Sequence, residues 1–71
     1  MQTPDAADVS AAAQRLSEIL LESIGALAAA GEVETACRLA GRACVVLRRT
    51  DAAAARRFDV LLHRLTPKLT W

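Results

Sequence analysis

Two cysteines, one histidine with a carboxylate a helical turn before it, and a group of arginines are the side chains in this sequence able to do chemistry. Cys37 and Cys44 are seven residues apart. Within one helix they share a face, but at ~1.5 Å per residue their Cα atoms lie roughly 10 Å apart. A disulfide tolerates at most ~7 Å, so the pair cannot close within its own helix. Both thiols read as small core residues in a reducing, cytoplasmic compartment, with an intermolecular bridge or a reactive thiol as the alternatives. His63 follows Asp59 at a spacing that lets a carboxylate orient an imidazole. No G-x-S-x-G, glycine-rich phosphate loop, C-x-x-C or tyrosine accompanies the pair, and without a nucleophile it reads as a surface contact. Spacings of seven and nineteen among Cys37, Cys44 and His63 match no structural zinc pattern. These residues predict no enzyme, no metal and no cofactor.

Arg48, Arg49, Arg56 and Arg57 flank the junction between two predicted helices. They form either a basic patch for phosphate or carboxylate groups or a set of solvated helix ends. Together with Trp71 they are the candidate interaction patch. Trp71 is expected to fold back toward Phe58 and Leu62, or across a dimer, where an indole buries up to ~200 Å². Nucleic acid is disfavoured as a partner, because the net charge is only +1 and aromatic residues do not interleave with the arginines.

The charge is unevenly spread. Residues 1–34 hold Arg15 against two aspartates and four glutamates, a net −5, whereas residues 35–71 hold eight basic residues against Asp51 and Asp59, a net +6. Complementary halves of this kind fold against each other or meet head to tail between two copies, with a basic binding face as the alternative.

The elements that must position these groups are helices. Of 71 residues, 16 are Ala and 10 are Leu, with only 3 Gly and 2 Pro, a composition that favours helix and starves a sheet. Thr3-Pro4-Asp5 is a helix-start signature. From there Val9, Ala13, Leu16, Leu20, Ile24 and Leu27 form one stripe, and Gly31 closes the helix where a left-handed residue is commonly needed. Gly25, in mid-helix, predicts the close approach of another helix. A second helix has Val33, Cys37, Ala40, Cys44 and Leu47 on one stripe and Leu39, Ala43 and Val46 on another, with Glu34, Arg38 and Arg42 on a narrow polar strip. Apolar on two sides, it should sit between neighbours. Thr50-Asp51 caps a third helix that buries Ala54, Phe58, Leu61, Leu62 and Leu65 and stops before Pro67.

Residues Gly31 to Ala43 resemble the turn and second helix of a tetratricopeptide-type repeat, where small residues line a close helix pair. Leu20, Ile24, Leu27 and Ala28 fall where the first helix of such a repeat packs. The resemblance spans residues 18–50, with 51–65 similar to the helix that closes an array. Leu20 and Leu27 stand where Trp and Tyr are usual, and the same pattern fits an alanine-rich hairpin without kinship. The resemblance implies peptide or protein binding without chemistry, and since one repeat cannot bury its own faces, a partner.

The sequence therefore predicts a single all-α domain, residues 1–71, built as a small helical bundle. Two long helices, about 4–30 and 32–49, form an antiparallel hairpin; a shorter third, 51–65, packs across them, followed by a tail at 66–71. Only 20 apolar residues are larger than Ala and Cys, a thin core for a chain that buries only about 60% of its unfolded surface. A homodimer or a protein partner is expected to complete it. No apolar run approaches the ~18 residues of a membrane span, and the start lacks signal-peptide character. The function expected is that of an adaptor, co-chaperone or assembly partner, with a small regulator binding an anionic ligand or nucleic acid through the arginines as the alternative.

Overall fold

In the computed structural model, which describes residues 5–69, three helices follow one another: α1 (Ala6–Ala29), α2 (Val33–Leu47) and α3 (Ala52–Leu65), the last continued by a 3₁₀ turn, Thr66–Lys68. No strand occurs among the described residues. The protein is an all-α bundle.

Each boundary has a local cause. The side chain of Asp5 accepts a hydrogen bond from the Asp8 amide at 2.8 Å and so caps α1; Thr3 and Pro4 of the predicted start signature lie outside the described residues. At the other end Gly31 takes φ +91°. The Gly31 amide donates to the Ala28 carbonyl at 3.0 Å and the Glu32 amide to that of Leu27 at 2.9 Å, the paired bonds of a Schellman motif. Gly31→Ala is expected to cost about 1–2 kcal/mol, since a Cβ strains the left-handed region. That corresponds to a fall of roughly 4–8 °C in Tm per kcal/mol for a domain of this size. Calorimetry checks it, and an unchanged Tm would show that the turn does not depend on this conformation.

Between α2 and α3 the chain turns tightly, the Asp51 amide donating to the Leu47 carbonyl at 2.7 Å. The Asp51 carboxylate then accepts from the Ala54 amide at 3.1 Å, capping α3 as expected. Regular α-helix ends at Leu65, and Pro67 sits inside the 3₁₀ turn. There a proline lacks an N–H that nothing needs.

The core is small and built largely of alanine. Ile24 and Phe58 are the fully buried large side chains. Around them Ala36, Ala40, Ala43 and Leu65 close a cluster, with Leu21, Leu27, Leu61 and Leu62 partly buried against it. Ala36, Ala40 and Ala43 repeat at four and three residues along α2. A Cβ alone on that seam lets neighbouring helices approach toward the short end of the usual 8–10 Å range of interaxial distances. The stripes expected for α2 were displaced by this seam: Ala36, which neither stripe included, is fully buried, while Val46 is exposed. Closeness between helices thus comes from alanines. Gly25 contributes nothing of the kind, because a Cβ built there meets no atom within 4 Å.

The two arms of the hairpin are unequal, where two long helices were expected. α1 has 24 residues, but α2 has 15 and α3 has 14, so one long helix stands beside two short ones. α2 makes its most extensive contact with α3. α1 outruns both partners and the molecule is elongated, with a radius of gyration of 13.8 Å against about 11 Å for a compact chain of this length.

Candidate interaction surface

The predicted arginine patch is divided by the fold. Arg56 and Arg57 lie on the outer face of α3, where with Arg64, two turns further on, they edge a groove floored by Leu21, Ala53, Val60 and Leu61. Arg48 and Arg49 belong to the end of α2 and the turn after it, and neither lines that groove. All four side chains are exposed. Arg64 completes the α3 face, and its place was readable as the i+7 and i+8 partner of Arg57 and Arg56. Trp71, the fifth residue of the candidate patch, lies outside the described residues.

Among the described residues the complementary halves of the chain meet once across helices, where Arg57 stands 3.9 Å from the Glu18 carboxylate of α1. Both side chains are largely exposed, and a long pair in water is worth little. Arg38 and Glu34, one turn apart on α2, are closer at 3.1 Å. The expected polar strip is therefore present, as a solvated face.

His63 and Asp59 do approach. The His63 Nδ1 lies 2.8 Å from the Asp59 carbonyl oxygen and 3.5 Å from its carboxylate. With the proton on Nδ1 the ring donates to the carbonyl of its own helix, and the side chain is 77% exposed. Cys37 and Cys44 are unbridged and half-buried against the core cluster. Among the described residues, no three metal-ligating side chains come together.

The most distinctive surface is apolar. Val9, Leu16 and Leu20 belong to the stripe expected to be the inner face of the first helix, yet they are 55%, 65% and 39% exposed. Only the later part of the stripe, around Ile24 and Leu27, is covered. For Val9 the reason is length. The nine residues by which α1 exceeds α2 amount to about 14 Å of helix beyond the reach of α2. Where α2 does reach, it leaves a shallow groove lined by Leu16, Leu20, Leu39, Ala43, Val46 and Leu47, with Arg42 at the edge. Val46 is 72% exposed. Sequence periodicity marks such residues as apolar-faced and cannot say whether anything covers them; the unequal lengths of the Val9–Leu27 and Val33–Leu47 stripes were the available signal.

Among the described residues no helix is long and apolar enough to cross a membrane. No protein family model matches this chain, and neither do the curated proteins or the solved structures with which it was compared.

Proposed function

We propose that this chain is a small helical protein–protein interaction module, an adaptor, co-chaperone or assembly partner that binds through the apolar face shared by α1 and α2. The observation that carries this reading is the run of Val9, Leu16, Leu20 and Val46 along one face of a chain in which, among the described residues, only two large side chains are fully buried. Scattered exposed apolar residues are ordinary, but a contiguous run beside a groove marks a binding surface. The tetratricopeptide-like pattern over residues 18–50 agrees, since a lone hairpin of such an array leaves its stacking faces open. Two unbridged thiols suit a reducing compartment.

A photo-cross-linking residue placed at Leu20 or Val46 in the native host is expected to give discrete protein adducts, while the same residue at Glu22 gives none. Absence of adducts at both face positions would defeat the interaction reading.

A second reading has its own observation, the three guanidinium groups of Arg56, Arg57 and Arg64 around an apolar floor, which suits an anionic ligand. Reversing Arg56 and Arg64 to Glu tests it. A bound polyanion would be lost with the fold intact, and a nucleic acid complex would also weaken steeply with salt. If binding persists unchanged, that face is only solvated.

A further inference from the structure

We propose that the groove between α1 and α2 is filled by the overhanging first half of α1 from a second copy of this chain, in an antiparallel two-fold dimer. This rests on the interaction reading above and names its partner.

Three observations carry it. The first is a match of length. The overhang extends about 14 Å, and the groove wall from Leu39 to Val46 runs for about 11 Å of helix at the same rise. Val9, Ala12 and Ala13 provide the apolar side of the overhang, all exposed within the chain. Overhang and groove are therefore two unfilled halves of one contact, both present in every copy, as a self-complementary two-fold interface requires.

The second is charge. From Asp5 to Gln14 the described chain holds Asp5 and Asp8 and no basic residue. The groove it would enter has Arg42 at its edge, which pairs with no carboxylate among the described residues. An antiparallel arrangement brings the acidic overhang of each copy toward the partner's Arg42. A parallel arrangement would set overhang beside overhang, placing like charges together and leaving both grooves open.

The third is area. The 24 residues of α1 and the 15 of α2, as strips about 10 Å wide, present a face of roughly 580 Å², which with its copy comes to about 1,200 Å², the lower end of specific interfaces. The overhang alone is too small to hold two copies together, and the face with its groove is sufficient.

The arrangement sets a register. With the overhang of one copy beside the groove of the other, the two-fold axis passes near Leu16, so this side chain meets its own copy. Val9 and Ala13 then descend toward the partner's Leu20 and Leu39.

Sedimentation equilibrium of the unaltered chain and disulfide trapping test this together. The chain should sediment as a dimer at tens of micromolar, and Leu20→Glu with Val46→Glu should give a monomer that keeps its helical circular dichroism. In a Cys37→Ser, Cys44→Ser background, Leu16→Cys should form a disulfide-linked dimer at least tenfold faster than Glu22→Cys on the opposite side of the helix. Equal trapping at both positions would overturn the register and with it the dimer proposed. An unaltered chain that stays monomeric at 200 µM would overturn it without recourse to any variant. If that monomer still gives adducts with a different protein from Leu20 and Val46, the interaction reading survives and the dimer does not; without adducts both fall.

Discussion

Phe58→Ala is expected to remove most of the chain's stability and to leave up to about half of the population unfolded at room temperature. The ring is 1% exposed and, among the described residues, is one of two fully buried large side chains, so its loss removes the largest single piece of the cluster that joins α2 to α3 and α1. Truncating a buried Phe costs about 3–5 kcal/mol, the lost transfer energy plus the cavity left behind. A small domain has a total stability toward the lower end of ~5–15 kcal/mol. The neighbours cannot collapse into the space, because those on α2 are Ala36, Ala40 and Ala43 and have no further atoms to offer. Far-UV circular dichroism in urea checks the prediction. A midpoint close to that of the unaltered chain would mean that the ring is not the centre of the core.

The second large effect is expected at Ile24, with a contrast inside the same helix. Ile24→Ala should cost about 2–5 kcal/mol, since Ile24 is fully buried between α1 and the alanine seam. Leu16→Ala, eight residues earlier on the same stripe, removes a side chain that touches little of its own chain and should change monomer stability by less than about 0.5 kcal/mol. The two stability curves must be measured at low protein concentration. At higher concentration Leu16→Ala should lower Tm by an amount that grows with concentration, as mass action demands when association is what has been weakened. Equal effects at the two positions in dilute solution would show that α1 is covered along its whole length.

This contrast also marks how far the sequence could be read. Helix content, the cap at Asp51, the left-handed Gly31 and the burial of Phe58 and Leu65 were legible because each depends on a few neighbouring residues and a fixed period. The exposure of Leu16 was not, since periodicity reports which way a side chain faces and never what lies opposite. Nor was the whole alanine seam: α2 was expected between neighbours, but neither of its stripes included Ala36, whose lone Cβ reads as a helix-forming filler. Gly25 misled for the same reason, its missing Cβ suggesting a neighbour that the fold supplies elsewhere. The arginine patch was half legible. Arg56 and Arg57 share a helix face by spacing, whereas the division from Arg48 and Arg49 depends on where the α2–α3 turn sends the chain.

The unequal helix lengths also divide the molecule into parts that open separately. The first turns of α1, Ala6 to about Ala13, are joined to the bundle only through their own helical hydrogen bonds, and a helical stretch that short is marginal in water without tertiary support. In the dissociated chain, at low protein concentration, amide hydrogens there should exchange at a protection set by local fraying, while those around Ile24, Ala40 and Phe58 exchange only through global opening. The structure thus separates a slow-exchanging joint from a fast-exchanging arm on one continuous helix. The chain's stability is held at the joint, and its most apolar free surface begins on the arm.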